Sequence, residues 1–244
     1  MMEVHWDGPI ATVALARDGA RNAVPIAGWE QLASLAPTLD GARVVVLQSR
    51  MPGMFSAGAD ITEFSALQAD PLLRSRFRTA MRMGIEALAA LPMPVLAAID
   101  GGCFGAAVAL ILAADLRIAG EAARFAVTPA RLGLGYPRED VARLMRQVGR
   151  GRAAELLFTG EAIDADAAAA IGLVERRVSD ARMAARALAR RIAENAPNAV
   201  RHLKHALRRP DDADLDLAFD AAFGGAELAE GLAAFQARRR PVFG

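Results

Sequence analysis

Two segments of the sequence share a design that could stabilise a negatively charged oxygen atom. In each, an apolar stretch typical of a buried strand is followed by small residues and then by a helical pattern: VVVLQSR leads to FSAGADI, and VLAAID leads to GGCFGAAVAL. The first N–H groups of a helix lack acceptors within the helix, and small side chains let a substrate approach them. Two such turns side by side would direct two N–H donors at one oxygen, which is an oxyanion hole. We predict Ala59 and Ala106 as these donors, although close packing would explain either turn taken alone.

The segment RFAVTPARLGLGYPRED, from Arg124 to Asp140, holds the only tyrosine of the chain, Tyr136, and ends in the acids Glu139 and Asp140. A neutral phenol can donate a hydrogen bond or a proton to a substrate, or it can anchor a loop. The two acids can serve as acid/base groups, or they can be first-turn residues of the helix REDVARLMRQVG that interact favourably with its dipole. The sequence leaves these alternatives open.

Other chemical motifs are incomplete. GGCFGAA and GLGYPR do not complete a dinucleotide-binding glycine pattern, and GMFSAGA does not match the G-x-S-x-G of a serine hydrolase. Cys103 has no neighbouring histidine, and His5, His202 and His205 do not form a metal-binding pattern. The sequence therefore implies neither a metal nor a redox cofactor.

The elements that must position these residues alternate between strands and helices in the first half of the chain. EVHWDGPIATVALAR predicts two short strands, ARVVVLQSR and PVLAAID predict buried strands, and DPLLRSRFRTAMRMGIEALAAL predicts a long amphipathic helix. Such alternation favours an α/β fold with a parallel sheet, and the chain after Pro137 is mostly helical. We therefore divide the chain into a core at residues 1–190 and a C-terminal helical region at residues 191–244.

Composition and charge narrow the classes of function. The 244 residues carry 29 basic and 28 acidic side chains, a net charge of +1, which does not favour nucleic-acid binding. The longest apolar run, Ala106–Ala114, is too short to span a membrane, and the N-terminal MMEVHWDGPIATVAL lacks the basic start of a signal peptide. A single cysteine is typical of a reducing compartment. We expect a cytoplasmic protein with no nucleic-acid or membrane partner.

Several segments, in order along the whole chain, resemble the crotonase family of enoyl-CoA hydratases and isomerases. They are RNAV at 21–24, FSAGADI at 55–61, IDGGCFGAAVALILAADLRIAG at 99–120, ARFAVTPARLGL at 123–134 and EGLAAFQARRRPVF at 230–243. The resemblance implies an α/β spiral of ββα turns with a helical C-terminal trimerisation region, assembled as a homotrimer or a dimer of trimers. It implies an acyl-CoA substrate, as in fatty acid metabolism, whose thioester enolate is held by Ala59 and Ala106. Coenzyme A, as part of the substrate, would contact Arg21, Ala23, Ala57, Asp60, Ile61 and a neighbouring subunit's Arg239, although the triplet 238–240 equally suits a solvated helix end.

The same resemblance reveals departures at two positions where hydratases of the family carry catalytic glutamates. These positions fall on Ala109 and Pro129, whose side chains cannot transfer a proton. The loop FAVTPARLGLGYP is similar to that of the methylmalonyl-CoA decarboxylase group, which also lacks the glutamate pair. That group has a tyrosine at the position of Tyr136, but a histidine at that of Ala59. Decarboxylation needs an enolate sink, and a carboxylate base beside the reacting carboxylate would repel it.

We therefore predict an acyl-CoA lyase or isomerase, and we prefer decarboxylation of a malonyl-type acyl-CoA assisted by Tyr136. One alternative is an enoyl-CoA hydratase or isomerase that uses Glu139 or Asp140 as its acid/base. Another is a family member that binds acyl-CoA without catalysis, although binding alone would not need two oxyanion turns.

Overall fold

The computed structural model describes residues 1–244 and contains two sheets. In chain order the strands are β1 (Met2–Asp7), β2 (Ile10–Leu15), β3 (Val44–Ser49), β4 (Met54–Ser56), β5 (Val95–Ile99), β6 (Gly102–Phe104), β7 (Leu116–Gly120), β8 (Arg124–Ala126), β9 (Ile163–Asp164) and β10 (Arg176–Val178). One sheet has six strands in the order β1-β2-β3-β5-β7-β10, and the other has four in the order β4-β6-β8-β9. All neighbours are parallel except β1 with β2 and β8 with β9.

The helices fill the connections and the C-terminal part of the chain. They are α1 (Ile26–Leu35), α2 (Phe64–Ala69), α3 (Pro71–Ala90), α4 (Ala106–Ile111), α5 (Arg138–Thr159), α6 (Ala165–Ala170), α7 (Ala181–Ala193), α8 (Pro197–Arg208), α9 (Asp214–Ala222) and α10 (Ala226–Gln236). The long helix predicted from the sequence is α3, whose start is capped by the Asp70 carboxylate accepting from the Leu72 N–H at 2.8 Å. α5 is kinked at Gly149, which has a φ of 78° and a ψ of 161°.

The chain winds as a spiral of ββα turns, as predicted. Three successive pairs, β3 with β4, β5 with β6, and β7 with β8, each place one strand in each sheet before the chain continues into helix. Successive turns therefore stack strand on parallel strand. This repetition brings the loops that follow β4 and β6 to the same edge of the four-stranded sheet.

Both faces of the six-stranded sheet are covered, which explains why its central strands are continuously apolar. Alternate residues of β5 point to opposite faces: Val95, Ala97 and Ile99 join the main core, whereas Leu96 and Ala98 pack in a second cluster with α7. A parallel strand that is covered on both faces needs apolar side chains on both, and the sequence PVLAAID supplies them.

α7 covers the second face with four alanines one helical turn apart, Ala181, Ala185, Ala189 and Ala193, all of them buried. Small side chains at this spacing let the helix lie close to the sheet. The domain boundary placed between residues 190 and 191 falls inside this helix. Because α7 packs on the sheet to its last turn, we place the start of the C-terminal helical region after Ala193.

Helices α8, α9 and α10 form that region, and their side chains are mostly exposed. Two residues of these helices are buried, Ala234 of α10 and Lys204 of α8. Lys204 is 5% exposed, and its Nζ donates to the Met93 carbonyl at 2.8 Å. It also lies 2.6 Å from a carboxylate oxygen of Asp115. This buried ion pair attaches α8 to the core. No helix is both long enough and apolar enough to cross a membrane.

Candidate active site

The two small-residue turns predicted from the sequence lie side by side. Each follows a strand of the four-stranded sheet, and these strands, β4 and β6, pair in parallel. Gly58 has a φ of 91°. A Cβ atom there would clash with the Phe104 carbonyl oxygen and lie 2.9 Å from the Ala106 nitrogen. The contact between the turns therefore depends on a residue with no side chain at position 58.

The backbone of the first turn leaves the N–H group of Ala59 without an acceptor. Val24 forms a short parallel bridge here: its N–H donates to the Gly58 carbonyl at 2.7 Å, and its carbonyl accepts from the Asp60 N–H at 3.1 Å. Ala59 lies between these two bonds, and its own N–H donates none within the protein. The bridge holds the turn in place and leaves the N–H group of Ala59, at its centre, without an acceptor.

The second turn presents the N–H group of Ala106 in a similar way. Ala106 is the first residue of α4, where an N–H group has no acceptor within the helix. Gly105 before it has a φ of 54° and a ψ of −122°, a conformation that side chains rarely allow. Ala59 and Ala106 are both half-buried. The structure thus gathers two N–H donors at neighbouring turns that a ligand can reach.

A buried polar network holds the first turn, and reasoning from the sequence missed it. The Asn22 side chain donates to Ser49 Oγ at 2.8 Å and to the Phe55 carbonyl at 3.0 Å. The Ser56 hydroxyl donates to the Asn22 carbonyl at 2.7 Å and accepts from the Gly58 N–H at 3.1 Å. Because these groups are buried and mutually satisfied, they fix the path of the chain up to Gly58. The only sequence signal was the asparagine within RNAV.

Asp60 holds the other side of the same turn. Its carboxylate is buried and contacts Arg17 Nη1 at 2.5 Å, and it accepts from the Thr62 N–H at 3.0 Å and the Thr62 hydroxyl at 2.7 Å. Burial would raise the pKa of Asp60, but the hydrogen bonds from Thr62 and Arg17 outweigh it and lower the pKa below its usual value. The Asp60 carboxylate is therefore engaged by the protein itself.

The remaining residues predicted to contact coenzyme A differ in how far their side chains are exposed to solvent. Arg21 is exposed and has a φ of 50°, Ala57 is half-buried, and Ile61 is 65% exposed. The Ala57 N–H donates to the Arg21 carbonyl at 3.0 Å, which places these two residues together beside the first turn. Ala23 is buried, so only its backbone can be near a ligand.

Arg239 lies beyond the end of α10 and forms a bidentate ion pair with Glu230 at 2.6 and 2.8 Å. The Arg239 guanidinium lowers the pKa of the Glu230 carboxyl to about 2. Within its own subunit, Arg239 is therefore committed to Glu230, not to the two turns.

Tyr136 extends its side chain to the second turn. Its hydroxyl donates to the Gly105 carbonyl at 3.0 Å and lies beside the N–H group of Ala109. Its ring packs against the main core. Burial raises the pKa of the phenol well above its usual value, and the Asp140 carboxylate raises it further. The structure thus brings a neutral phenol to the residue that precedes Ala106.

Glu139 is held by two arginines at the start of α5. Its carboxylate lies 2.6 Å from Arg82 and 2.8 Å from Arg138. The hydrogen bond from Arg138, with the charge of Arg82, lowers the pKa of Glu139 to about 2. A carboxylate with this pKa is a poor proton carrier near neutral pH.

Asp140 has the opposite environment, although it is the next residue. It is 4% exposed, and burial raises its pKa from 3.8 to about 6. Arg143 opposes that effect from 3.3 Å but shares its charge with Glu86, which it contacts at 2.8 Å. Of the two acids, Asp140 is the one whose proton can be gained and lost near neutral pH.

A cavity of about 410 Å³ opens between α3 and the start of α5. Only two of its ten lining residues are hydrophobic. Arg78 and Arg82 of α3 line it together with Glu139 and Asp140 of α5. Arg82 contacts Glu139, whereas Arg78 belongs to none of the ion pairs of the protein. Such a lining suits a short polar group and not a long hydrocarbon chain.

Neither metal ligands nor a reactive thiol accompany these groups. The structure places no three His, Cys, Asp or Glu side chains where they could share a metal ion. Cys103 is buried, and burial raises its pKa well above the usual value. Its thiol therefore stays protonated at neutral pH.

Comparison with known proteins identifies the family. The family model for enoyl-CoA hydratase/isomerase matches residues 7–244. The chain belongs to the enoyl-CoA hydratase/isomerase family. YngF of Bacillus subtilis, which carries an enoyl-CoA hydratase/isomerase name, is 34% identical over 96% of this chain and 94% of its own. A structure of an enoyl-CoA hydratase/carnithine racemase from Magnetospirillum magneticum has a TM-score of 0.94 at 35% identity, covering 100% of this chain and 95% of that one. A structure of an enoyl-CoA hydratase from Bacillus anthracis has a TM-score of 0.93 at 31% identity, covering 99% of this chain and 98% of that one.

The predicted crotonase-like fold and family are thereby confirmed. Within this enoyl-CoA hydratase/isomerase family member, the two positions that the sequence predicted to lack the hydratase glutamates have clear structural settings. Ala109 is fully buried in α4, and Pro129 begins the short 3₁₀ helix Pro129–Leu132. Neither residue carries an ionisable side chain.

Proposed function

We propose that this enzyme binds an acyl-CoA thioester and stabilises its enolate with the N–H groups of Ala59 and Ala106. Both groups lack intramolecular acceptors and lie at neighbouring turns. Such donors are most valuable where charge develops during a reaction, because they are already oriented. The preserved geometry of both turns argues against a member that only binds acyl-CoA.

Within that chemistry we favour decarboxylation of a malonyl-type acyl-CoA. The bond between the carboxylate and the α-carbon breaks, its electron pair forms the enolate, carbon dioxide leaves, and the α-carbon then takes up a proton. The observation that carries this proposal is the position of Tyr136, whose hydroxyl lies at Gly105 and Ala109, where a hydratase would present a glutamate. A neutral phenol there can hydrogen-bond the reacting carboxylate without repelling it.

The cavity between α3 and the start of α5, whose lining begins at Pro137, the residue after Tyr136, supports an acyl group that is short and anionic. Arginines supply three of its ten lining residues, Arg78, Arg82 and Arg138, and the apolar share is small. A fatty-acyl tail would desolvate these charged groups and would leave Arg78 without a counter-charge, since only Arg82 and Arg138 pair with Glu139, and that is costly. The carboxylate of a malonyl-type acyl group would supply a counter-charge and avoid this cost.

A second candidate reaction is double-bond isomerisation or hydration with Asp140 as the acid/base. Its burial and its pKa of about 6 favour it over Glu139 for that role. Asp140 would take a proton from one carbon of the acyl group and return it to another, while the enolate oxygen rests on the same two N–H groups.

Coenzyme A would then lie along the exposed side of the first turn, past Arg21, Ala57 and Ile61, with the backbone of Ala23 and Asp60 behind it. We also propose a homotrimer or a dimer of trimers. This is supported by the large exposed apolar side chains of α9 and α10, which are Leu217, Phe219, Leu228, Leu232 and Phe235. A neighbouring subunit's Arg239 would reach the nucleotide from the end of α10.

A screen of CoA thioesters by mass spectrometry tests these proposals. We expect loss of carbon dioxide from a malonyl-type thioester, slowed by at least about tenfold in Tyr136→Phe and little changed in Asp140→Asn. Turnover of a 3-enoyl-CoA that is slowed in Asp140→Asn and little changed in Tyr136→Phe would instead establish isomerase activity. Hydration of crotonyl-CoA at an ordinary enzymatic rate, unaffected by Asp140→Asn, would refute both assignments. Binding of the thioesters with no turnover would show a non-catalytic member.

A further inference from the structure

The cavity between α3 and the start of α5, which we call the α3–α5 cavity, is lined by equal numbers of basic and acidic side chains. The basic ones are Arg78, Arg82 and Arg138, and the acidic ones are Glu86, Glu139 and Asp140. When all six groups are ionised, their charges cancel. No residue of α8, α9 or α10 lines the cavity, so the core of a single subunit forms it.

Asp140 is the acid that can change this balance of charge. Glu139 contacts two arginines at 2.6 and 2.8 Å, and its pKa of about 2 keeps it ionised. Glu86 is half-exposed and contacts Arg143 at 2.8 Å. Asp140, in contrast, is 4% exposed, and its one ion-pair partner is the same Arg143, at 3.3 Å. The least exposed of the three acids therefore has the weakest compensation for its charge.

The groups that face Asp140 have opposing effects on its protonation. They are Arg82 and Glu86 of α3, Glu139 and Arg143 of α5, and the neutral phenol of Tyr136. The helix α4, which also packs against α5, carries no ionisable side chain. Burial and the two glutamates favour the protonated form of Asp140, the two arginines favour the ionised form, and the pKa is raised to about 6. No histidine lines the cavity, so Asp140 is its group that titrates near neutral pH.

Protonation of Asp140 gives the cavity an excess of positive charge. Three arginines then stand against two carboxylates, which leaves one positive charge. Arg78 supplies that excess, because it belongs to none of the ion pairs of the protein. When Asp140 is ionised, an anionic acyl group would instead enter a cavity with no net charge and lie near a buried carboxylate. Like charges repel strongly where water is scarce, so the anionic group binds better to the protonated form.

We propose that Asp140 determines the charge preference of the α3–α5 cavity, and that an anionic acyl group enters it together with a proton. The proton passes from solvent to a carboxylate oxygen of Asp140, and no bond of the thioester changes in this step. The inference rests on the proposed function, because it takes this cavity as the acyl site. The affinity for a carboxylated acyl group is highest where Asp140 is protonated, and it falls as the pH rises through the pKa of Asp140. Because the step concerns binding, it leaves the rate at saturating thioester unchanged.

The test is isothermal titration of the full-length protein with succinyl-CoA and with butyryl-CoA. Succinyl-CoA carries a carboxylate where butyryl-CoA carries a methyl group, and the phosphates of coenzyme A are common to both. The succinyl carboxylate is too far from the thioester for its loss to form an enolate, so binding is measured without the proposed decarboxylation. Between a pH of about 5.5 and a pH of about 8, we expect the Kd of succinyl-CoA to rise at least about fivefold relative to that of butyryl-CoA.

Three variants assign the pH dependence to one group. In Asp140→Asn the ratio of the two dissociation constants should stay constant across the pH range. Glu139→Gln makes the same change one residue earlier, but that carboxylate is ionised throughout the range, so the pH dependence should be retained. Glu86→Gln frees Arg143 to pair with Asp140 alone, which lowers the pKa of Asp140 and should move the loss of succinyl-CoA affinity to lower pH. A residue with only a structural role would not move that midpoint.

Titration in two buffers of different ionisation enthalpy counts the protons that accompany binding. At a pH of about 7, we expect succinyl-CoA to take up at least about half a proton more than butyryl-CoA in the wild type, and no more than butyryl-CoA in Asp140→Asn. A constant ratio of dissociation constants in the wild type would overturn the proposal, as would the same pH dependence in Asp140→Asn. If proton uptake is observed but no thioester is turned over in the mass-spectrometric screen, the proposed reaction is wrong and the charge preference of the cavity stands.

Discussion

Replacing Asp140 by asparagine should stabilise the protein at neutral pH. Burial raises the pKa of Asp140 from 3.8 to about 6, so the folded state holds the proton more tightly than the unfolded chain. Above a pH of about 6 the folded protein therefore carries a buried charge that the unfolded chain carries in water. The cost of that charge is fully present above the folded pKa, shrinks as the pH falls through it, and vanishes below the unfolded value.

The magnitude follows from the two pKa values. A tenfold change in proton affinity is worth ~1.4 kcal/mol, so the difference between 3.8 and about 6 corresponds to about 3 kcal/mol at a pH of about 7.5. At a pH of about 5 the folded carboxyl is already protonated and roughly half of that cost remains. The asparagine keeps the size of the side chain, and Arg143 keeps its contact with Glu86.

The measurement is urea denaturation of both proteins, followed by circular dichroism, at the two pH values. Glu139→Gln is the matched control, because it makes the same change one residue earlier. There the pKa is lowered to about 2 by Arg138, so removing that charge should decrease stability or leave it unchanged. A destabilised Asp140→Asn, or a gain that is the same at both pH values, would refute the reasoning from burial.

Three further substitutions test other parts of the structure. Gly58→Ala should lower kcat by about 10²–10³-fold, because a Cβ atom would force the first turn away from Ala106; steady-state kinetics with the thioester found in the screen measures this. Arg78→Met should raise KM about three- to tenfold for an anionic acyl-CoA and leave KM for a neutral one unchanged, because the cavity loses its unpaired cation. Lys204→Met should lower the unfolding free energy by about 3 kcal/mol, because it leaves Asp115 without its partner, and urea denaturation measures it.

Each of the three has a comparison that isolates the cause. Gly53→Ala also places a side chain on a positive φ but meets no neighbouring atom, so it should reduce stability without the loss of kcat. Arg74→Met removes an exposed charge from α3 outside the cavity, and equal effects of Arg74→Met and Arg78→Met would contradict the role given to Arg78. Lys204→Arg keeps the charge, so a loss as large as that of Lys204→Met would mean that packing, and not the ion pair, holds α8.

Much of the fold and half of the site could be predicted from the sequence, because they depend on local patterns. Continuous apolar runs predicted the buried parallel strands. The small residues after two of them predicted turns with open N–H groups at Ala59 and Ala106. The supporting contacts of Asn22 and Arg17 could not be predicted, since each joins residues far apart in the chain. Nothing in the local sequence distinguishes an asparagine that bonds to Ser49 from one that faces water.

The pair Glu139 and Asp140 shows which properties of the site the sequence determines and which depend on the tertiary structure. The sequence determined that two acids start a helix after the only tyrosine, and that no glutamate stands at 109 or 129. Consecutive helical residues point about 100° apart, so one of them must face the body of the protein and the other its rim. Only the packing of α3 against α5 decided which, because it placed Arg82 beside Glu139 and buried Asp140. The residue types determined which groups can ionise, but the three-dimensional surroundings of each acid determined its pKa.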